Sequence, residues 1–368
     1  MDHSEAESRR DERVEFPCGN CGARLKWDPD ADALTCDYCG HATPVAEENR
    51  VIEEHPLEDA GAAARGWGLE VRGARCGNCG ATVVFERTET SRECVFCGSA
   101  HVLAQEANRN AIRPESLVPM DVSRAQVERA FLRWIDGLWF RPNALKKTRA
   151  FDARGVYVPH WTFDCHVDSS WTAESGTYYY VTVTKTRFVN GKHETYTEQE
   201  RRTRWWPSSG DRSDDYDDLL VNASRAVPED LASRLGGFRR SGLVPYRPEY
   251  LAGWLAEEYS VDLRTGWGRA RVRVVAEQQS RCARDVPGDT HRSLRVENHI
   301  RDVRWKHVLL PLWTLTYEFR GKTYPILVHG QTGRVAGRAP YSWVKITLFV
   351  LLVAALAAGA YLLYRMTR

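Results

Sequence analysis

An excess of charge of one sign is the first thing this sequence lacks. Lys and Arg total 51 against 49 Asp and Glu, a formal net charge of +2. No global field therefore draws the chain to nucleic acid or to an acidic partner. Lysine is scarce beside arginine, a bias we ascribe to the base composition of the gene. An apolar run near the start is also missing. Residues 1–15 (MDHSEAESRRDERVE) are polar throughout, so the sequence predicts a disordered tail without a signal peptide, on a protein made in the cytosol. The phosphate-binding loop of an ATP-driven motor is absent too. The only Gly-Lys-Thr is Gly321-Lys322-Thr323, where Thr316 stands in place of the first glycine, and it falls in an expected hairpin turn. No Ser/His/Asp, Cys/His or paired-carboxylate spacing suggests catalysis, and the sequence predicts no enzyme.

Cysteine, by contrast, is abundant and patterned. The hexapeptide CGNCGA occurs at Cys18 to Ala23 and again at Cys76 to Ala81. After fourteen residues a second pair follows each copy, Cys36 with Cys39 and Cys94 with Cys97. Every cysteine of the block recurs at an offset of 58, which marks an internal duplication. Two C-x2-C pairs joined by a short polar hairpin bring four sulfurs around one point, as tetrahedral zinc requires. A glycine follows each pair (Gly22, Gly40, Gly80, Gly98) and lets the chain turn back so that amides can face the thiolates. Neither ribbon has enough apolar residues for a core, so metal binding, worth roughly 10–16 kcal/mol in small zinc peptides, supplies the folding energy. A redox C-x-x-C stands alone near a βαβ unit, and disulfides need an oxidising compartment. The spacing thus predicts two structural zinc ions, held by Cys18, Cys21, Cys36 and Cys39 and by Cys76, Cys79, Cys94 and Cys97. His41 and His101 lie beside the last ligands and are not needed as ligands. Cys165 and Cys282 are expected to be small core residues.

Length allows two or three domains. We divide the chain into the tail 1–15, zinc ribbon one at 16–45, a flexible linker at 46–72, zinc ribbon two at 73–104 and an α+β body at 105–340. The body is rich in antiparallel strands. Ser123 with Gln126 forms a capping box before Val127, Phe131, Trp134, Ile135 and Leu138 at helical spacing, and Pro142 closes that helix. In the strand Val156 to Phe163 and beyond, His160, Thr162, Asp164 and His166 share one face. They read as ordinary strand residues rather than as a metal site. Thr177 to Phe188 and His193 to Trp206 flank Asn190-Gly191, a hairpin turn signal. A two-residue turn sets Arg187 opposite Glu194 and Thr184 and Thr186 opposite Thr197 and Thr195, a ribbon polar on both faces that projects into solvent. Its base, Arg201 to Trp206, mixes cations with aromatics, and we read it as a strand entering the core rather than as a nucleic-acid surface. The acidic run Asp211 to Asp218 is expected to open a helical region reaching Leu235, and Gly268 to Arg284 a further helix. Val308 to Leu315 repeats Val156 to Phe163 at Val, Pro, Trp and Thr, which suggests two related halves.

Ile346 to Tyr364 is nineteen residues without a charge, about 28 Å of helix and enough to cross a hydrocarbon core. Trp343, Tyr361 and Tyr364 take the places of interfacial aromatics, and Lys345, Arg365 and Arg368 bracket the span. With eight thiolates needing a reducing medium, the sequence predicts a tail-anchored, single-pass protein of the cell membrane with its bulk in the cytoplasm.

The cysteine pairs, Gly155 to Phe163, Tyr250-Leu-Ala-Gly-Trp-Leu-Ala-Glu-Glu-Tyr259, Leu309 to Trp313, Gly321 to Tyr324 and Val328-His-Gly-Gln-Thr-Gly333 carry a resemblance over nearly the whole chain. It resembles the bacterial transcription factor IIB-type zinc-ribbon proteins, some of them labelled primosomal protein N′ (replication factor Y), superfamily II helicase. His160 and His329 stand where that family has Phe and Asn, and one ribbon rather than two is the family pattern. The resemblance implies a membrane-bound partner of phage-shock protein A-like or SPFH proteins in envelope stress. The expected function is a zinc-ribbon adaptor that recruits cytosolic proteins to the membrane. The alternative is a membrane-tethered nucleic-acid binder without motor motifs.

Overall fold

The computed structural model describes residues 16–45, 51–61, 63–68, 71–86, 93–147, 152–189 and 192–367. The expected tail 1–15 and the Asn190-Gly191 turn lie outside the described residues. In chain order the strands are β1 (Leu25–Asp28), β2 (Ala33–Cys36), β3 (Ala42–Thr43), β4 (His55–Pro56), β5 (Val71–Cys76), β6 (Thr82–Glu86), β7 (Val102–Glu106), β8 (Ser116–Leu117), β9 (Asp152–Val189), β10 (Lys192–Asn222), β11 (Val244–Pro245), β12 (Leu255–Glu257), β13 (Thr290–Phe319), β14 (Lys322–His329) and β15 (Val335–Gly337). Among the described residues four α-helices accompany them: α1 (Arg124–Asp136), α2 (Glu229–Leu235), α3 (Leu263–Asp285) and α4 (Trp343–Met366). The first three strands form a small antiparallel sheet, and the other twelve join one mixed sheet.

The mixed sheet is built on β9, β10 and β13, which run 38, 31 and 30 residues. From Trp161 to Ala173 every second residue of β9 is buried, namely Trp161, Phe163, Cys165, Val167, Ser169, Trp171 and Ala173. This period of two gives the strand one wet and one dry face. Helix α3 covers the dry face with Gly266, Ala270, Val274, Gln278 and Cys282, buried residues four apart. Its start is fixed by Asp262, whose carboxylate accepts the Thr265 amide at 2.9 Å. The isolated cysteines Cys165 and Cys282 are indeed buried core residues. Helix α1 begins as expected, with the Ser123 amide donating to Gln126 Oε1 at 2.9 Å, and it buries Val127, Phe131 and Ile135.

Prolines 159 and 311 stand in the middle of central strands, where a missing N–H should break a ladder. Each occupies the point at which its strand changes neighbours. On one edge of β9 the partner is β12 up to Tyr157 and β10 from His160 onward. On one edge of β13 it is β8 up to Leu309 and β14 from Leu312 onward. The two echoed segments are themselves antiparallel neighbours, with Val158 directly opposite Leu310.

Two expectations are corrected. Residues 211–222 are not helical but form the inner end of β10, paired with β9 from Asp211↔Ser170 to Asn222↔His160. Cations hold the acidic run in this extended form: Asp214 lies 2.6 Å from Arg212 and 2.7 Å from Arg281. Helix appears only after Pro228, in the seven residues of α2. Nor are the described residues of the linker a free tether. Strand β4 pairs with β13, Trp305 Nε1 donates to the Pro56 carbonyl at 3.2 Å, and Ala63 and Trp67 are buried. The hairpin register is as expected, with Glu194↔Arg187, Thr195↔Thr186 and Thr197↔Thr184. Gly321-Lys322-Thr323 lies at the β13–β14 hairpin, where Phe319 pairs with Lys322.

Candidate metal centres

Each group of four cysteines predicted from spacing converges. All four sulfurs of Cys18, Cys21, Cys36 and Cys39 lie within 4.8 Å of one another, and so do those of Cys76, Cys79, Cys94 and Cys97. The closest approaches are 3.6 Å for Cys18–Cys39 and Cys21–Cys36, 3.7 Å for Cys76–Cys97 and 3.5 Å for Cys79–Cys94. Ligands on a tetrahedron with metal–sulfur bonds of about 2.3 Å stand about 3.8 Å apart. The donor set and its spacing therefore fit two metal ions.

The chain around each centre explains the convergence. Gly22, Gly40, Gly80 and Gly98 all have φ between 69° and 76°, left-handed turns that reverse the backbone after each pair. The turned amides then reach the sulfurs. His41 and Asn20 pull Cys39 down to about 6. A hydrogen bond with Cys79 and the amides of Phe96 and Cys97 bring Cys94 down to about 5. Cys21 goes the other way: despite the Ala23 amide, burial and the neighbouring thiols push it up to about 12. Crowded thiols cannot all ionise by themselves, and a central divalent cation relieves that conflict by taking all four as thiolates. Asn78 adds outer support, its backbone amide 3.4 Å from Cys76 Sγ and its side-chain amide 3.5 Å from Cys97 Sγ.

The two centres are attached to the body differently. The second is continuous with the mixed sheet, because β6 pairs with β12, which pairs with β9. The first keeps its own sheet and docks through Trp27. Its backbone amide donates to Ala252 O at 3.0 Å, its indole donates to Met120 O at 3.3 Å, and its ring meets Tyr250 at 4.7 Å.

A third acidic group was not legible in the sequence. Glu54, from the expected linker, meets Asp164 of β9 and Asp218 of β10. Bulges place it: β10 shifts register between Tyr216 and Leu219, and the Asp218 amide turns onto Asp164 Oδ1 at 2.5 Å. Lys306 Nζ fills the centre, 2.7 Å from both Glu54 and Asp218. Burial opposes the charge on Lys306, but those two carboxylates raise it above its ordinary value. Burial and the hydrogen bond with Glu54 push Asp164 up to about 7. The cation this cluster binds is thus its own lysine. The shared face of His160, Thr162, Asp164 and His166 brings no common ligand site together. His160 Nδ1 meets the Val158 carbonyl at 3.1 Å, while His166 lies between Asp215 at 2.5 Å and Asp168 at 3.1 Å.

Ser213 Oγ stands 2.8 Å from His166 Nε2, which resembles a Ser–His–Asp relay in outline. The electrostatics argue against that chemistry. Asp215 and then Asp168 raise His166 above its ordinary value, away from the neutral base such a relay uses, and Ser213 Oγ itself donates to Asp168 Oδ1 at 2.8 Å. A cleft of about 620 Å³ lies between α2 and the sheet, with Val158, His160, Leu310 and Leu312 among its lining residues. Burial lowers His160 to about 4 and keeps it neutral there.

The chain is similar to the uncharacterized protein YdjG of Bacillus subtilis (strain 168). The two are 27% identical over 351 residues, 95% of this chain and 96% of that protein. No family model matches the chain, and no solved structure matches it.

One helix among the described residues is long and apolar enough to cross a membrane: α4, 24 residues with no buried side chain.

Proposed function

We propose that the protein is a membrane-anchored zinc-ribbon adaptor, facing the cytoplasm, that holds protein partners at the membrane surface. The observation that carries this reading is α4, an apolar helix with no buried residue. Water does not tolerate such a surface, whereas a bilayer does. A single span with no intramembrane charge has no transport chemistry, and its physical effect is to concentrate the attached body at the membrane. Zinc is the metal that suits four thiolates in a structural site, and thiolates persist in a reducing compartment. The partners in view are cytosolic proteins of the phage-shock protein A or SPFH kind.

The β9–β10 arm supports the adaptor reading. Strand β13 begins at Thr290 opposite Gly176, so outward of that point the arm has, among the described residues, two strands and two open edges. It extends about 40 Å at about 3.3 Å per residue. Open edges offer backbone hydrogen bonds to an incoming strand. The experiment is purification of the full chain from detergent-solubilised membranes beside a variant lacking residues 178–203. Partners lost with the arm support docking there. An unchanged set of partners contradicts it.

A specific observation also favours nucleic acid as a second reading. The arm carboxylates Glu194, Glu198 and Glu200 pair with Arg187, Lys185 and Arg202 on one face. The opposite face carries Tyr178, Tyr180, Phe188, Arg201 and His193 and, among the described residues, no carboxylate. Single-strand binding whose affinity falls with salt and is lost in Tyr180→Ala/Arg201→Ala supports that reading; absence of binding at low salt rules it out.

A further inference from the structure

Five residues separate the last strand, β15, from α4, and the body grips four of them directly. Arg338 donates to Asp230 at 2.6 Å, and its own carbonyl accepts from the Tyr317 hydroxyl at 3.0 Å. The Ala339 carbonyl accepts from Arg141, and the Arg141 guanidinium lies over the Tyr341 ring at 3.5 Å. The Ser342 amide donates to Phe140 O at 2.8 Å. The first turn of the helix is tied to the same place, with Lys345 Nζ 2.6 Å from Asn143 Oδ1 and 3.1 Å from Trp139 O. Helix α4 thus leaves the body without a free joint.

One contact goes further along the helix. The Phe140 ring meets the Phe349 ring edge-on at 5.3 Å. Phe349 lies three residues inside the uncharged stretch that starts at Ile346, about 4.5 Å along the axis. Beside Phe140, Trp139 is 72% exposed, and at the helix start Trp343 is 77% and Tyr341 61% exposed. Three large aromatics left in water around the root of an apolar helix are costly. At a membrane interface, amphipathic rings are favoured.

We propose that the turn Leu138–Arg141 enters the bilayer interface beside α4, so that Trp139 and Phe140 contact lipid acyl chains and hold the body against the membrane in a fixed orientation. The occupant of this surface is the boundary between headgroups and hydrocarbon, continuous with the lipid-facing side of α4. Contact is made by rings, because Arg141 and Lys345 are already engaged by the protein, and it does not depend on lipid charge. The proposal rests on the reading that α4 crosses a membrane.

The test uses the full chain in phosphatidylcholine nanodiscs, with the photoreactive residue p-benzoylphenylalanine placed singly at 139, at 356 within α4, or at 188 on the distal arm. Lipid adducts are read by mass spectrometry after illumination. The expected result is adducts at 139 and 356, none at 188, and no change when phosphatidylglycerol is added. Phe140→Ser is expected to reduce the adduct at 139 and leave the one at 356. Adducts at 356 with position 139 as empty as 188 overturn the proposal and leave the anchor standing. No adduct at 356 overturns the anchor and the proposal together.

Discussion

Trp254 Nε1 donates to the backbone carbonyl of Trp27 at 3.1 Å, and so joins a residue of the body to one 227 positions earlier in the first ribbon. Trp27 is 4% exposed. The ribbon is therefore part of the folded body, although it keeps a sheet of its own. Trp27→Ala is expected to cost about 3–5 kcal/mol, the usual range for deleting a buried tryptophan. Urea denaturation read by body signals such as near-ultraviolet circular dichroism checks this. A flexible tether between ribbon and body predicts no change in that signal.

Metal content is the next outcome. The purified chain, prepared under reducing conditions, is expected to hold two zinc ions by elemental analysis. Cys36→Ser is expected to hold one, and to lower the stability of the body as well, because Trp27 lies on the strand that pairs with Cys36's own strand. Cys94→Ser is expected to be the more damaging change, since its ribbon belongs to the main sheet.

Lys306 supplies the positive charge at the centre of its acidic cluster. Lys306→Met removes that charge from between Glu54 and Asp218, both partly buried, with an expected loss of about 3–5 kcal/mol in stability. Asp164 gives the same cluster a pH signature. Its folded value, about 7, exceeds the ordinary 3.8, so between those values the folded chain binds more protons than the unfolded one. This contribution to stability is full at the acidic end and is lost as pH rises toward about 7. Asp164→Asn is expected to flatten the fall in urea midpoint between about pH 4 and about pH 7. An unchanged slope contradicts the assignment.

What was legible in the sequence was local or periodic. The two four-cysteine groups follow from i, i+3 spacing and a repeat, the arm register from one two-residue turn, and α1 from Ser123 and Gln126. The long apolar helix α4 needed only its run of uncharged residues. Residues 211–222 misled because a short run dense in aspartate resembles a solvated helix start. What holds Asp214 in a strand is partly Arg281 of α3, 67 positions later. The Glu54–Asp164–Asp218–Lys306 cluster was invisible for a related reason, being assembled by bulges and a docked segment from four distant stretches. The linker looked flexible because an acidic stretch from Ala46 to about Ala60 runs into a Gly/Ala/Arg stretch ending at Gly73, while the residues that pin it, Trp305 and Tyr246, lie far along the chain.

The central claim is that α4 brings the ribbons, and whatever they bind, to the membrane. The most direct measurement compares cells carrying the full chain with cells carrying a chain cut after Pro340, by quantitative proteomics of washed membranes and of the soluble fraction. The account predicts that the truncated chain moves to the soluble fraction with two zinc ions and an unchanged fold. It predicts that a defined set of cytosolic proteins leaves the membrane with it and still co-purifies with it. A truncated chain that stays with the membrane, or partners that remain there without residues 341–368, contradicts the account.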